Sequence, residues 1–322
     1  MKKTFRYLWL VCAALCFTAC QQEWEDELYE QTISFAKNGV TDIHVRYKPN
    51  GKVSYQLPVV VSGTLNNHKD MEVNVSLDPD TLANVNKERF STREDLYFLQ
   101  LAPKFYSIPP TVSIASGQNV ALFNIDFTLN GINMTRNHIL PLTISEGNGY
   151  EVNIRKHFRK ALLNVIPFND YSGTYSATNA VIDDGSGKPM TVATRRAEVV
   201  DENTIFFYAG MIQEDLIDRE TYKVLCKFVR QSEEGKPDQG IVELSAPDSR
   251  IGFSGTGSYM VSRMMDEVEP YLEHIYTLVN LEYTFSELIN EETKMPYKVS
   301  GSMVLERKRN VLIPDEDQAW LW

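Results

Sequence analysis

The chain has 322 residues, with 43 Asp+Glu against 32 Lys+Arg and a net charge of −11. A surface this acidic repels phosphate backbones, which excludes nucleic acid as a partner class. The length allows more than one core without covalent staples, and 4 cysteines are too few for a disulfide-dense scaffold.

In chain order, Lys2, Lys3 and Arg6 form a basic start, Leu8 to Phe17 is an apolar run, and Phe17-Thr18-Ala19-Cys20 places small residues before a cysteine. The run is about ten residues where a spanning helix needs about 20, so residues 1–20 read as a cleaved signal. The cysteine after small residues resembles the bacterial lipobox, although Phe17 stands where that motif usually has Leu. The resemblance implies that Cys20 carries lipid and becomes the first residue of the mature protein. Loss of Lys2, Lys3 and Arg6 leaves 29 basic against 43 acidic residues, a net charge of −14. Cys12 and Cys16 leave with the signal, so only Cys226 remains and no intramolecular disulfide forms.

Residues 21–30 are an acidic tether, Gln21-Gln22-Glu23-Trp24-Glu25-Asp26-Glu27 and onward. An acidic run so close to the lipid resembles the surface-export signal of Bacteroidetes lipoproteins. It implies a protein lipid-anchored to the outer membrane and facing the cell exterior. Several acyl chains would hold it firmly where one would not.

From residue 31 the hydrophobic period is two. Met71, Val73, Val75 and Leu77 share one face of a segment, as do Ala121, Phe123, Ile125, Phe127 and Leu129. Further on, Tyr222, Val224, Cys226 and Phe228 alternate, then Val279, Leu281, Tyr283 and Phe285, then Tyr297, Val299, Met303 and Leu305. Such alternation predicts strands with one buried face. Turns are expected at Pro49-Asn50-Gly51, Ala115-Ser116-Gly117, Asp183-Asp184-Gly185 and Glu233 to Pro237. Helix is sparse. Pro79 to Val85 has room for a turn or two, Ser91-Thr92-Arg93-Glu94 looks like a capping box, and Met264 to His274 is the longer candidate, interrupted by Pro270.

The fold class expected is all-β, in two domains. Residues 31–166 suit an immunoglobulin-like β-sandwich. Residues 167–309 carry sequential strand-like segments that predict an antiparallel, lipocalin-like β-barrel, with a second sandwich as the alternative. Residues 310–322 form an acidic tail ending in Trp320-Leu321-Trp322.

The first domain resembles a family of N-terminal modules of unknown function in Bacteroidetes surface lipoproteins. The likeness is carried by Leu57-Pro58-Val59-Val60-Val61-Ser62-Gly63, by Tyr106-Ser107-Ile108, by Thr111 to Gly117 and by Ile139-Leu140-Pro141-Leu142-Thr143-Ile144. In that family the module precedes either a family 18 endoglycosidase or a small β domain of unknown function. Gly173-Thr174-Tyr175 and Gly301-Ser302-Met303-Val304-Leu305 are similar to the latter. Such proteins accompany starch-utilisation-like glycan uptake systems. The resemblance therefore implies a glycan-binding or accessory lipoprotein, with a polysaccharide or oligosaccharide as ligand and an outer-membrane transporter complex as partner.

The residues themselves offer no reaction chemistry. His44, His68, His138, His157 and His274 lack metal-ligand spacing, so no metal and no cofactor are expected. Cys226 lies on an apolar strand face and reads as an inert core thiol. Gly185-Ser186-Gly187-Lys188 lacks the remaining positions of a phosphate loop, because Ile182 and Pro189 stand where glycine and a hydroxyl residue are required. Gly252 to Gly257 fits neither a nucleophile elbow nor a dinucleotide loop and reads as a strand bulge or bend. The acidic runs Asp266 to Glu269 and Glu287 to Glu292 lack the family 18 arrangement and read as solvated faces. No catalytic residue is assigned, and the protein is expected not to be an enzyme. Sugar binding needs aromatic rings that stack on C–H faces beside polar groups that bond hydroxyls. The candidates are Tyr175, Tyr208, Tyr259, Tyr271 and Tyr276 in the second domain, with Trp320 and Trp322 in the tail. A structural lipoprotein that docks on a transporter is the competing expectation, and a hydrolase with carboxylates drawn from distant strands is a third.

Overall fold

A computed structural model of the chain describes residues 29–313 apart from 148, 234 and 291, together with the backbone of 320 and 321. Cys20, Trp24 and Trp322 lie outside the described residues, as do the signal and most of the tether. The chain is almost wholly β. The first unit contains β1 (Thr32–Phe35), β2 (Gly39–Arg46), β3 (Val53–Ser62), β4 (Met71–Leu77), α1 (Pro79–Phe90), β5 (Leu99–Gln100) and β6 (Tyr106–Ser107). It continues with β7 (Thr111–Ile114), β8 (Val120–Phe127), β9 (His138–Ile144), β10 (Glu151–Val152) and β11 (Lys160–Phe168). One sheet runs β10-β1-β3-β8-β6 and the other β2-β11-β9-β4-β7, with β5 beside β9. Leu57, Val59, Phe123 and Ile125 of the first sheet and Leu140, Leu142, Leu163 and Val165 of the second meet in one core. The sandwich is not purely antiparallel, because β11 pairs in parallel with β2 from Ala161 to Phe168.

β9 and β11 are apolar on both faces because the back of their sheet is covered as well. Ile139 and Leu162 pack there against Leu82 of α1 and against Phe98. α1 outruns the short helix expected at 79–85. Asp78 caps it by accepting from the Thr81 N–H at 3.1 Å, with Pro79 pre-set at the first turn. Inside the helix, Asn86 exchanges two hydrogen bonds with the Phe98 backbone, at 3.0 and 2.9 Å. Ser91 does not open a capping box. It ends α1 at a φ of 52°, and only a short 3-10 turn, Glu94–Leu96, follows.

The second unit comprises β12 (Gly173–Asp183), β13 (Met190–Thr191), β14 (Thr194–Val199), β15 (Thr204–Tyr208), β16 (Lys223–Arg230) and β17 (Gln239–Ser245). Then come β18 (Ser254–Met265), β19 (Leu272–Leu288), β20 (Lys294–Asn310) and β21 (Trp320–Leu321). Neighbours pair antiparallel in sequence order from β14 to β20, and β12 pairs with both β14 and β20. That last pairing closes a barrel, with only the two-residue β13 and β21 outside the ring among the described residues, which settles barrel against second sandwich. Closure requires a glycine at one place. The β12–β20 register shifts between Ser176 and Asn179, and Gly301 faces the shift at a φ of 136°. A Cβ there would lie 2.1 Å from the Asn179 carbonyl oxygen. Gly255 is likewise a close approach in β18, since its Cβ would lie 2.5 Å from that of Tyr283.

The helix expected at 264–274 is a β-hairpin. Met264 pairs with His274 and Met265 with Glu273, and Pro270 sits in the turn. The Asp266 carboxylate shapes that turn by accepting the N–H groups of Val268 and Glu269, each at 2.8 Å. Pairing along two long strands overrides the helical composition of this stretch.

The barrel packs against the sandwich through β15 and the segment before β16. β15 is buried on both faces: Ile205 and Phe207 point inward, while Phe206 and Tyr208 point outward. Two buried arginines fasten the join. Arg219 donates to the carbonyls of Leu216 and Asp95, at 2.9 and 3.1 Å. Arg307 donates to the carbonyls of Asn169, at 2.5 Å, and Ser172 in the linker. Asn169 stiffens the linker further, its side chain accepting the N–H groups of Tyr171 and Ser172.

Candidate functional site

The barrel interior is a packed core. Ala177, Ile182, Phe207, Leu281, Tyr283 and Met303 border a void of about 20 Å³, the room of a single water. Arg195 fills one mouth, donating to the carbonyls of Gly210 and of Ile212, the latter at 3.0 Å. Unlike a lipocalin cup, this lumen is filled by side chains among the described residues. Cys226 is buried in it, and burial pushes the thiol up, so it is a core residue.

Three of the candidate tyrosines belong to the interior. Tyr175 is fully buried and donates to the Tyr171 carbonyl at 2.5 Å. Tyr259 is buried edge-on to Tyr171 and Phe228, and its hydroxyl donates to Asp238 at 2.9 Å. Tyr208 is buried at the join between the domains, edge-on to Phe206. None of the three can present a ring to solvent. Trp320 contributes β21, whose backbone pairs with Arg309 of β20.

Tyr271 and Tyr276 lie on the outside. In β19 the odd positions Ile275, Val279, Leu281 and Tyr283 face the lumen, so His274, Tyr276 and Leu278 face outward. The Tyr276 ring stacks with the His274 imidazole at 6.0 Å and 15°. Carboxylates bracket that imidazole: Glu306 Oε1 is 2.8 Å from Nδ1 and Asp266 Oδ2 is 2.8 Å from Nε2. Glu306 and then Asp266 raise the His274 pKa, which favours the imidazolium. Asp266 is held down at about 2, first by the turn N–H of Glu269 and then by His274. The Tyr276 hydroxyl donates to Glu306 at 3.3 Å, and the Tyr271 hydroxyl to Glu269 at 2.7 Å.

Cross-strand register extends this into a surface. Ser262, Tyr276 and Glu306 form one row, and Met260, Leu278 and Val304 form the next. Met260 and Met264 are exposed beside the rings. The result is a flat apolar and aromatic patch rimmed by fixed hydrogen-bond acceptors, which is the composition a sugar face requires.

Glu306 also borders a second feature, a cavity of about 330 Å³ between sandwich and barrel. Asp42, His44 and Phe168 line it from the sandwich side, and Thr174, Arg196 and Glu198 from the barrel. Arg196 and Glu198 are paired at 2.5 Å. Burial raises the Glu198 pKa and lowers that of His44. Among the described residues no three His, Cys, Asp or Glu side chains could hold a metal ion.

Residues 24–148 match a family described as a domain of unknown function, DUF4973, and residues 159–304 match the C-terminal domain of a second family. A structural-genomics protein of unknown function from Bacteroides ovatus is 39% identical over 91% of this chain and 100% of its own, with a TM-score of 0.79. This chain belongs to the same family. Another member is a multidomain protein including DUF1735 from Bacteroides ovatus, at 38% identity, 91% and 100% coverage and a TM-score of 0.79. A third, from Bacteroides thetaiotaomicron VPI-5482, is described as an auxiliary nutrient binding protein, at 36% identity, 88% and 96% coverage and a TM-score of 0.77. No curated protein matches the chain.

In this member of the family, sequence reasoning overlooked His274, Asp266 and Glu306, having weighed histidines only as metal ligands and the 266–269 run only as a solvated face. The available signal was parity. His274 and Tyr276 share the face opposite Ile275, Val279 and Tyr283, so a strand reading already puts them side by side on the outward face. The partnership with Glu306, 32 residues away, needed the register.

Proposed function

We propose that the protein is a carbohydrate-binding lipoprotein of the outer membrane, displayed on the cell exterior and accessory to a glycan uptake system. The observation that carries this reading is the outward Tyr276–His274 ring pair set among Glu306, Asp266 and the Tyr271–Glu269 pair. Rings offer a stacking face, and carboxylates already held in place offer directed acceptors at little ordering cost. The relative described as an auxiliary nutrient binding protein supports the same reading.

Binding is proposed without cleavage. Glycoside hydrolysis needs one carboxylic acid that carries a proton at working pH. On the outer face Glu306 and Asp266 instead hold His274, and Asp266 stays ionised down to about 2, while Glu198, whose pKa burial raises, is bound to Arg196. The anchor is proposed at Cys20. Incorporation of labelled palmitate into the wild type and its absence from Cys20→Ser is the expected result, and equal labelling of both would remove the anchor from the account.

The test of function is affinity electrophoresis and calorimetry against plant and host polysaccharides. At least one is expected to bind the wild type and to bind Tyr276→Ala at least ten-fold more weakly, with no reducing ends released. Silence across the whole panel would end the carbohydrate reading. Docking on a transporter or another surface protein is the second reading, favoured by the exposed apolar side chains of Val268, 88% exposed in an otherwise acidic hairpin turn, and of Leu312, 74% exposed. A stoichiometric partner retained by the wild type and lost with Val268→Asp would favour it.

A further inference from the structure

We propose that the cavity between sandwich and barrel is a pocket for the terminal, uncharged sugar unit of an oligosaccharide whose next unit stacks on Tyr276. This rests on the carbohydrate reading above and adds where the chain ends. Glu306 belongs to both features. Its carboxylate meets His274 and Tyr276 on the outer face, and the same residue borders the interdomain cavity. A ligand lying on the rings and crossing β20 therefore enters that cavity directly.

The cavity has the volume and lining of a sugar site. At about 330 Å³ it is at the small end of ligand pockets, which run from about 300 to 1,000 Å³. Asp42, His44 and Thr174 supply hydroxyl partners, and Phe168 and Leu305 supply an apolar wall. Its floor does not give way. The linker, which borders the cavity at Phe168 and Ser172, is fixed by Arg307 and by the Asn169 side chain. The fixed linker bars passage between the domains, which favours a chain end over a chain threaded through.

The charges select the kind of end. Asp42 and Glu306 bring two carboxylates to the lining beyond Glu198, which is paired with Arg196. The two arginines there are already engaged, Arg196 with Glu198 and Arg307 with the linker carbonyls. An acidic sugar would meet Asp42 and Glu306 there, with both lining arginines already engaged. A neutral sugar would find acceptors for its hydroxyls.

The experiment is calorimetry with two- to six-residue ladders of α-glucan, α-mannan, β-glucan and xylan, on wild type, Thr174→Trp, Asp42→Asn and Tyr276→Ala. Thr174 and Asp42 are exposed and an asparagine at 42 can still accept from Asn164, so both replacements leave the cores intact, and unchanged melting temperatures check this. The expected result is at least one ladder whose affinity stops rising by three residues and falls at least ten-fold in Thr174→Trp and several-fold in Asp42→Asn. A uronic acid at the terminal position is expected to abolish that binding. Loss of binding in Tyr276→Ala with full binding in Thr174→Trp would overturn the pocket and leave the outer platform standing. So would an affinity that keeps rising to six residues. Absence of binding by every ladder to the wild type would overturn pocket and platform together.

Discussion

The inner and outer faces of β19 carry similar residues to opposite ends. Tyr283 faces the lumen, fully enclosed, and its hydroxyl accepts the Gly210 N–H at 3.1 Å. Tyr276, an odd number of positions away, faces solvent and stacks on His274. Both rings are tyrosines in one strand, yet one stabilises the barrel and the other is available for recognition. Residue type alone does not separate the two roles. The parity of the position relative to a closed barrel does.

The strongest way to break this contrast is to truncate an inward ring. Tyr175→Ala should cost about 3–5 kcal/mol of stability, because it opens a void in a packed core and orphans the Tyr171 carbonyl. Urea denaturation measures it, and a loss under about 1 kcal/mol would mean the barrel core is far looser than described. Next comes the join between the domains. Arg219→Ala removes charge-assisted bonds to the carbonyls of Leu216 and Asp95 and should cost roughly 1.5–3 kcal/mol. A denaturation midpoint unmoved from wild type would show that the two domains do not lean on each other there.

Tyr276→Ala should do the reverse of Tyr175→Ala. Its stability should stay within about 0.5 kcal/mol of wild type, while affinity for a bound glycan falls about ten-fold, or about 1.4 kcal/mol. A large drop in melting temperature would place Tyr276 with the core residues. The smallest effect is in titration. The His274 pKa is raised above 6.5 in the folded chain by Glu306 and then Asp266. The clamp it forms is thus complete below about pH 6.5, the pKa of a free imidazole, and fades as pH climbs through the folded value. NMR titration of the imidazole should show a midpoint above 6.5, shifted down in Glu306→Gln. An unshifted midpoint in that variant would remove Glu306 from the clamp.

Some of this could be read from the residues alone. The alternation at 71–77, 121–129 and 279–285 marks β4, β8 and β19, and Ala115-Ser116-Gly117 and Asp183-Asp184-Gly185 fall in turns. These are local signals, set by period two and by turn chemistry. Tyr175 and Tyr259 are core residues and not the expected platforms, because a tyrosine on a strand shows no side until the strand has neighbours. The 264–274 stretch was misread because Met, Glu and Leu favour a helix until β18 and β19 pair along their length.

The sequence by itself determined the all-β class, the strand faces and the acidic character, because each depends on residues close along the chain. It also marked Tyr271 and Tyr276 as candidates among several. Only the tertiary structure decided that β12 meets β20 to close a barrel, that the lumen is filled, and that Glu306 reaches both His274 and the interdomain cavity. Those facts depend on which strands pair and in what register, which are long-range choices that no local pattern encodes.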